Sequence, residues 1–338
     1  MESSSFWFFL NSAEGAKILE IYNSAIDIGN IPQSGTLSEW YGAEEHHVNS
    51  ILSLAMIDSD LITSHKFKVC LDTVNGAGGT ICIDLLKTLG CEVYAINTEP
   101  TGNFSHGAEP VPENIQDLCE LVKEKKADVG FAVDPDVDRL SVVNERGEAL
   151  GEEYTLALAV DYLMENGIRI AACNLSTSRM IDDVAARYGG TVYRSPVGEI
   201  NVVEKMREVG AEAGGEGNGG VILPALHYGR DAVLGIALIL QVMAKKGKKI
   251  GALASSMPKY CMIKEKMEIT EKGTWLETLK EKFRGEKIDL RDGTKIIFHD
   301  SWVHVRESNT EPIVRIIAEA QTEGEAKELL RRVYEVIG

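Results

Sequence analysis

The sequence predicts an α/β protein with two similar α/β domains of mainly parallel mixed sheets, a C-terminal α+β domain and an N-terminal helical region. Three observations support this prediction. Short apolar strands alternate with helices from residue 66 onwards, the alternation restarts after residue 165, and closely spaced strands precede one terminal helix. Such alternation is typical of βαβ units, whereas grouped strands indicate an α+β domain. The expected domain ranges are 1–65, 66–165, 166–256 and 257–338.

The first 65 residues favour helices, and the regular alternation follows them. Apolar residues recur with helical spacing at 13–25 and 46–57, on either side of a loop that contains glycine and proline. The elements predicted next are strands 67–72, 92–96, 127–133 and 140–143 and helices 80–89, 112–125 and 154–165.

The second α/β domain repeats this design, although no residue-level repeat connects the two. Residues 214–224 are predicted as a glycine-rich loop. The other elements predicted here are strands 168–175 and 191–193 and helices 179–188, 200–209 and 232–244. The C-terminal domain is predicted to contain a strand after Pro258, strands 296–298, 302–306 and 313–318 and helices 274–283 and 323–337.

The composition is that of a globular protein with a strongly acidic surface. The net charge is −17, from 52 acidic and 35 basic side chains. Because this surface repels nucleic acid and anionic membranes, neither is expected as a partner. A phosphorylated ligand must therefore be bound by a few focused cations and backbone N–H groups.

The cysteines and the N-terminal segment predict a cytoplasmic protein. None of the six cysteines forms a CxxC pair, and several lie inside apolar runs, which indicates reduced core thiols. The apolar run Phe6–Leu10 is short and follows no basic segment, so it predicts neither a signal peptide nor a membrane span.

A cluster of acidic residues directly follows the predicted strand 127–133. Asp134, Asp136 and Asp138 alternate with other residues, which places three carboxylates around one point. Hard oxygen ligands of this kind suit Mg²⁺, and the adjacent Arg139 can contact a phosphoryl oxygen. The segment predicts a magnesium site.

Two other interpretations of this segment compete with magnesium. A calcium-binding EF-hand also begins D-x-D-x-D, and Glu145 stands at its twelfth position. Its sixth position requires glycine, however, where this chain has Arg139, and its flanks must be helices, whereas strands are predicted here. A solvated acidic turn is the second alternative, and mutual repulsion of the carboxylates disfavours it.

Two further loops carry polar groups suited to a sugar phosphate. In the glycine-rich segment 214–220, Glu216 and Asn218 can bind vicinal hydroxyls, while the glycines allow close backbone approach. The turn 306–312 combines an arginine, hydroxyls and an amide, as phosphate-binding loops do, and Arg315 follows it. Taken alone, each segment is equally consistent with an ordinary surface turn.

Together and in this order, these segments resemble the α-D-phosphohexomutase family, which includes phosphoglucomutase, phosphomannomutase and phosphoglucosamine mutase. The resemblance extends from about residue 66 to the C-terminus. The matching segments are Asp72–Gly79 (opening of the family's second domain), Asp134–Arg139 (Mg²⁺ loop), Gly215–Gly219 (sugar-specificity loop) and Arg306–Pro312 (phosphate loop of its fourth domain).

The resemblance implies a role for each candidate residue. Asp134, Asp136 and Asp138 would bind Mg²⁺, and Arg139 would contact the phosphoryl group that is transferred. The residues implied in substrate binding are Gly198, Glu199, Glu216 and Asn218 on the sugar side, and Arg306, Ser308, Asn309, Thr310 and Arg315 on the phosphate side.

The implied reaction interconverts hexose 1-phosphate and hexose 6-phosphate. A phosphoserine passes its phosphoryl group to the sugar, and the resulting hexose 1,6-bisphosphate, which also acts as the activator, reorients and returns its other phosphate. Positioning by the remote phosphate and charge neutralisation by Mg²⁺ accelerate such a transfer.

Three departures from the family pattern stand out. The serine loop of the family's first domain, similar to Thr-Ala-Ser-His-Asn-Pro, has no counterpart, because Ser64-His65 and Ser105-His106 lack its flanking residues. Residues 8–15 resemble the segment after that loop, so residues 1–65 would be a remnant of the first domain. Gly220 stands where some members have histidine, and Asn309 replaces a usual glycine.

The departures leave two main hypotheses about function. In the first, the chain belongs to an active mutase, either with the missing domain supplied by another polypeptide or as a fragment of a longer protein. In the second, it is a truncated protein that binds hexose phosphate and Mg²⁺ without mutase turnover. A metal-dependent structural module is a third hypothesis, which the joint presence of the acidic, sugar and phosphate segments opposes. We expect weak binding and little or no turnover from the isolated chain. We also expect exposed apolar surface near Phe6–Leu10, covered by a partner chain or by self-association.

Overall fold

The computed structural model describes residues 10, 12–24, 35–268, 274–307 and 313–337. Within them, an N-terminal helical region is followed by two α/β domains and a C-terminal domain that is rich in strands, as the sequence predicts. The N-terminal helices are α1 (Ser12–Asn23), α2 (Ala43–Leu52) and α3 (Ser59–His65).

Each α/β domain contains a four-stranded sheet. The elements of the first are β1 (Lys68–Asp72), α4 (Gly78–Thr88), β2 (Glu92–Ile96), α5 (Gln116–Lys125), β3 (Val129–Val133) and β4 (Leu140–Val143). The second begins with α6 (Glu153–Glu165), which packs mainly on later elements of this domain. Its other elements are β5 (Ile170–Asn174), α7 (Met180–Arg187), β6 (Thr191–Ser195), α8 (Glu199–Val209), β7 (Ala213–Glu216), β8 (Gly220–Ile222), α9 (Ala232–Lys246) and α10 (Ile250–Ser255).

The two sheets share one topology. Their strand orders are β2-β1-β3-β4 and β6-β5-β7-β8. The first three strands of each sheet are parallel, and the fourth pairs with its neighbour in the antiparallel direction. Each sheet therefore ends in a hairpin, β3–β4 in one and β7–β8 in the other.

Helices α6 and α9 form the core between the two sheets. Every residue of α6 from Thr155 to Met164 is buried, and so is every residue of α9 from Ala232 to Ala244. A helix that is apolar all round belongs in an interior. Because these helices follow the two hairpins directly, their packing against each other also fixes the hairpins.

The C-terminal domain has one antiparallel sheet, in the order β10-β11-β12-β13-β9. It packs on the second α/β domain through specific polar contacts. The N–H of Val197 donates to Asp292 Oδ2 over 2.9 Å, and the N–H of Arg179 donates to Glu319 Oε1 over 3.0 Å. Its elements are β9 (Cys261–Glu268), α11 (Thr274–Lys282), β10 (Lys287–Asp289), β11 (Thr294–Ile297), β12 (Trp302–Glu307), β13 (Ile313–Ala320) and α12 (Glu323–Ile337).

The predicted loop at 214–224 contains strands β7 and β8, which is the main difference from the sequence prediction. Glycine normally weakens a strand, but here close packing requires it. A Cβ atom at Gly214 would lie 2.6 Å from the carbonyl oxygen of Ala172, and one at Gly215 would lie 2.0 Å from that of Gly220. The other differences are small: the predicted helix 112–125 begins at Gln116, and the predicted strand 191–193 continues to Ser195.

Candidate active site

The β3–β4 hairpin presents the three aspartates on a tightly organised turn. Asp134 Oδ1 accepts the backbone N–H groups of Asp138 (2.9 Å) and Arg139 (3.0 Å), which closes the turn around one carboxylate. Val137 adopts a left-handed φ of 63°, an unfavourable conformation for a β-branched residue. Its carbonyl accepts the N–H of Ala232 over 3.0 Å, so the start of α9 stabilises this conformation.

The electrostatics of this turn favour a bound cation. One oxygen from each of Asp134, Asp136 and Asp138 lies within 4.8 Å of the others. Burial, together with the hydrogen bond and charge of Asp138, raises the pKa of Asp134 to about 7. Asp138 Oδ1 is buried and accepts no hydrogen bond from a described residue. Crowded carboxylate oxygens with an unmet acceptor fit Mg²⁺, which binds hard oxygen ligands.

Arg139 lies between these aspartates and the solvent-accessible cleft. Its Nε is 3.4 Å from Asp134 Oδ2 and 3.5 Å from Asp138 Oδ1, and its Nη1 donates to Glu109 over 3.3 Å. The guanidinium group partly neutralises the acidic turn, and the residue also lines the cleft. A phosphoryl oxygen could be contacted from this position.

The β7–β8 hairpin carries the predicted sugar residues, and a polar network fixes Glu216. Its Oε1 accepts Asn174 Nδ2 over 2.6 Å and the N–H of Gly198 over 3.1 Å, and its Oε2 accepts Arg230 Nη1 over 2.7 Å. Glu216 is 4% exposed, so these bonds satisfy a nearly buried carboxylate. The network brings Gly198 and Glu216 together.

Arg230 connects the sugar hairpin to the acidic turn, and sequence reasoning missed it. Its guanidinium contacts Glu216 and Asp138, and its backbone N–H donates to Glu199 Oε1 over 2.5 Å. A Cβ atom at Gly220 would lie 2.3 Å from Arg230 Cδ. The glycine at position 220 therefore leaves the space that the arginine occupies. Burial raises the pKa of Glu199, although the Arg230 N–H and charge oppose the shift.

The two hairpins also contact each other through the backbone. The N–H of Leu140, at the start of β4, donates to the carbonyl of Gly219 over 3.1 Å. Gly219 has a φ of +95°, and a Cβ atom there would lie 2.4 Å from the carbonyl oxygen of Leu140. Asn218 is partly exposed and lines the cleft beside this contact.

Cations line the wall that the C-terminal sheet contributes. In register, Arg306 of β12 lies opposite Arg315 of β13, which lies opposite Lys266 of β9. Arg306 Nη1 is 3.4 Å from Asp292 Oδ2, and this contact helps to orient the guanidinium group. The predicted phosphate-binding residues Ser308, Asn309 and Thr310 lie outside the described residues.

Lys264 and Lys266 on this wall were not identified from the sequence. Both line the cleft, whereas Ile263 and Met267 pack on the domain core. The signal was the alternation of lysine with apolar and acidic residues along β9, since alternate side chains of a strand point to opposite faces. Lys264 forms an ion pair with Glu152 (2.9 Å).

All three domains line one cleft of about 820 Å³. The lining includes many of the predicted residues, while the three aspartates lie behind it and contact it through Arg139 and Arg230. The predicted residues that line the cleft are Arg139, Gly198, Glu199, Glu216, Asn218, Arg306 and Arg315.

Comparison with known proteins gives the family. Family models of phosphoglucomutase/phosphomannomutase match three consecutive ranges: alpha/beta/alpha domain II at 45–147, alpha/beta/alpha domain III at 151–260 and the C-terminal domain at 262–336. The chain belongs to the α-D-phosphohexomutase family. The phosphohexomutase resemblance seen in the motifs is thereby confirmed.

Two relatives illustrate the match within the phosphohexomutase family. A phosphoglucomutase/phosphomannomutase of Thermococcus kodakarensis is 41% identical over 280 residues, which are 81% of this chain and 61% of that protein. A "Probable phosphoglucosamine mutase" of Methanopyrus kandleri is 32% identical over 327 residues, 95% of this chain and 71% of that protein. The chain thus spans about three-fifths of the Thermococcus relative.

The fold agrees with this family. The crystal structure of a phosphoglucomutase/phosphomannomutase family protein from Burkholderia thailandensis superimposes with a TM-score of 0.82 at 26% identity, covering 95% of this chain and 70% of that one. Among the described residues, no helix has the length and apolar character required to span a membrane.

Proposed function

We propose that the cleft binds a hexose phosphate beside Mg²⁺ and that the chain serves the phosphohexomutase reaction, which interconverts hexose 1-phosphate and hexose 6-phosphate. One observation carries the proposal: a polar sugar loop and a row of cations line a single cleft of about 820 Å³, and the carboxylate-rich turn lies directly behind it. The family membership and the relatives named phosphoglucomutase and phosphoglucosamine mutase support it.

Each part of the cleft has a distinct task in this proposal. Arg306 and Arg315 hold the phosphate that does not react, and Glu216 and Asn218 bind sugar hydroxyls next to Gly198 and Glu199. Arg139 contacts the phosphoryl group that is transferred. Anchoring both ends of the substrate places the reacting hydroxyl correctly, which is the main contribution of a protein to phosphoryl transfer.

Asp134, Asp136 and Asp138 would hold Mg²⁺, which neutralises charge on the phosphoryl group when it is bound. In the proposed reaction, another polypeptide supplies the phosphoserine. Its P–O bond breaks as a sugar hydroxyl oxygen, losing its proton, bonds to the phosphorus. After the resulting hexose 1,6-bisphosphate reorients, its other phosphoryl group returns to the serine oxygen and the sugar oxygen released takes up a proton. The net change is an isomerisation, with hexose 1,6-bisphosphate as the activator.

A second candidate function is hexose phosphate and Mg²⁺ binding without turnover. It is favoured by the sequence, which has no counterpart of the family's Thr-Ala-Ser-His-Asn-Pro-like serine loop. Two serines among the described residues line the cleft: Ser176 Oγ hydrogen-bonds His304 Nδ1 over 2.9 Å, and Ser178 Oγ accepts the N–H of Met180 over 3.0 Å. Neither stands in a segment of the serine-loop pattern.

Phosphorus NMR separates these functions. The purified chain is incubated with Mg²⁺, glucose 1-phosphate and catalytic glucose 1,6-bisphosphate, then with the glucosamine and mannose analogues. A 6-phosphate signal supports mutase turnover. The second candidate is supported if no product forms and the 1-phosphate signal broadens with the wild type and with the control Arg284→Ala. The signal should then stay sharp with Asp136→Asn and with Arg306→Ala. No broadening and no product would contradict both.

The N-terminal region supports a proposed contact with another chain or with a second copy. In helix α1, the side chains of Ile18, Leu19, Ile21 and Tyr22 are at least half exposed. Exposed apolar surface of this kind marks interaction sites. Residues 6–9 of the predicted apolar run lie outside the described residues, while Leu10 is exposed. A monomer in light scattering at high concentration would argue against self-association.

We also propose the cytoplasm as the location of the protein. All six cysteines are free, and four of them are buried. Reduced core thiols are typical of a reducing compartment. Oxidative refolding that produced native disulfides would contradict this proposal.

A further inference from the structure

Two histidines and an aspartate meet outside the cleft, where α2 lies against the start of α9. His47 Nε2 is 2.7 Å from Asp231 Oδ2, and His227 Nε2 is 3.0 Å from the same oxygen. One ligand atom from each residue lies within 4.8 Å of the others. None of the three lines the cleft described above.

The carboxylate of Asp231 is fixed in place. It is the N-cap of α9, where its Oδ1 accepts the N–H of Leu234 over 2.9 Å, and it is 5% exposed. Burial alone would raise the pKa of Asp231, but the hydrogen bonds from His227 and His47 lower it well below its usual range. The anionic Oδ2 of Asp231 therefore lies within hydrogen-bonding distance of both imidazole rings.

We propose that His47, His227 and Asp231 bind a divalent transition ion of the zinc type. Imidazole nitrogens together with a carboxylate oxygen are the ligands that Zn²⁺ selects, whereas Mg²⁺ requires oxygen ligands. The donor set thus differs in kind from the all-oxygen turn at Asp134, and the two sites take different metals.

The geometry requires only a small adjustment. Ligand atoms about 2.0–2.1 Å from a tetrahedral zinc ion are about 3.3 Å apart, slightly more than the two hydrogen bonds seen here. The side chains of His47 and His227 are 28% and 41% exposed, so both rings can rotate outward while Asp231 stays fixed. Each Nε2 binds through its lone pair, so the ring hydrogen moves to Nδ1, and water completes the coordination.

The ion would join two parts of the chain that are distant in sequence. His47 lies on α2, and Asp231 directly follows Arg230, whose guanidinium connects the sugar hairpin and the acidic turn. Bound zinc therefore stabilises the folded state by mass action and tightens the segment that carries Arg230.

The test uses the full chain, freed of metal with a chelator and then kept in excess Mg²⁺ to occupy the oxygen site. Zn²⁺ binding is measured by titration calorimetry, and Co²⁺ binding is measured by visible absorption. The thermal unfolding temperature is measured with and without zinc. We expect one zinc ion per chain, cobalt bands that indicate nitrogen ligands, and a higher unfolding temperature with zinc.

Three variants decide the assignment. His227→Gln and His47→Gln each retain a donor for Asp231 but lose a ligand, and each should weaken zinc binding roughly 100-fold or more, since loss of a supporting group alone reduces affinity 10–100-fold. His46→Gln, on the exposed face of the same helix, should bind zinc as the wild type does. If His47→Gln fails to fold, His227→Gln alone decides. Equal zinc binding by His227→Gln and wild type, or no zinc bound in excess Mg²⁺, would overturn the proposal.

Discussion

The β3–β4 and β7–β8 hairpins occupy the same position in two sheets of identical strand order, yet they carry different chemistry. The first turn gathers three carboxylates, whose negative charge Arg139 and Arg230 partly balance. The second holds one carboxylate and one amide among glycines, and it receives its positive charge from Arg230. The shared fold decides where each loop stands, and the residues of the loop decide what it binds.

The ends of the central strands β1 and β5 also occupy equivalent positions but carry residues that make different contacts. Asp72 ends β1 and Asn174 ends β5, and each side-chain Oδ1 accepts a backbone N–H two residues on, from Val74 (3.0 Å) and Ser176 (2.8 Å) respectively. Only Asn174 must also donate, because its amide contacts Glu216 over 2.6 Å. A carboxylate there would repel Glu216, which accounts for the amide in the second domain.

The largest effect is expected where the two hairpins touch. Gly219→Ala forces a side chain into a φ of +95° and against the Leu140 carbonyl, 2.4 Å away. We expect a loss of about 3 kcal/mol or more in unfolding free energy, measured by urea denaturation. The control is Gly102→Ala, at a φ of +73° with nothing within 4 Å, which should lose about 1 kcal/mol. If Gly219→Ala and Gly102→Ala lost the same unfolding free energy, the contact between the hairpins would not contribute to stability.

The next effect tests the charge balance of the sugar hairpin. Glu216→Gln removes the carboxylate that pairs with Arg230 (2.7 Å) in a nearly buried position. The amide keeps part of the hydrogen bonding, so we expect a loss of about 2 kcal/mol and weaker hexose phosphate binding, with Mg²⁺ affinity changed much less. Glu204→Gln, on the exposed face of α8, should change neither quantity. An equal loss of Mg²⁺ affinity would mean that the two hairpins do not act separately.

Most of the fold could be predicted from the sequence because its helices and parallel strands carry strong apolar periodicity. The strands at Glu92–Ile96 and Leu140–Val143 and the helix at Glu323–Ile337 have the predicted bounds. Strands β7 and β8 were missed, since their glycines are selected by close approach to Ala172 and to each other, and a local pattern does not reveal packing.

The candidate site was predictable where its residues form compact motifs. The sequence grouped the aspartates, Glu216 and Arg306, and the structure brings their segments to one cleft or directly behind it. Arg230 could not be found, because its relevance depends on contacts across domains. The alternation along β9 indicates which face Lys266 occupies, but its place beside Arg315 depends on the pairing of β9 with β13. The zinc-type cluster likewise joins residues 184 positions apart.

In the acidic turn, we expect a substitution to lower Mg²⁺ affinity without lowering stability, which is the reverse of the expectation for the sugar hairpin. Asp136→Asn removes an exposed ligand, so we expect Mg²⁺ affinity to fall roughly 10–100-fold in calorimetry. Unfolding free energy without metal should stay the same or rise, since one negative charge leaves a crowded cluster. Asp84→Asn, exposed on α4, is the control and should leave Mg²⁺ affinity unchanged. Unaltered binding in Asp136→Asn would remove this residue from the metal site.

The smallest effect on stability is expected at a contact between the C-terminal domain and the second α/β sheet. Lys295 Nζ donates to the carbonyl of Leu175, just after β5, over 2.5 Å and lies 3.8 Å from the centre of the Trp302 ring. Burial, reinforced by the charge of Arg194, lowers the pKa of Lys295 to about 7. The folded state therefore releases this proton at a lower pH than the unfolded chain does.

The sign of the pH dependence follows from that difference. Above pH 7 the unfolded chain binds more protons at this lysine than the folded protein, so its contribution to stability rises with pH until the unfolded lysine also deprotonates. Between pH 7 and pH 8, the unfolding free energy of the wild type should gain about 1 kcal/mol relative to Lys295→Met. Lys287→Met, exposed on β10, should follow the wild-type profile. If the unfolding free energies of the wild type and Lys295→Met change in parallel from pH 7 to pH 8, the buried lysine does not lose its proton in this range. Its ammonium group would then be stabilised in the folded protein.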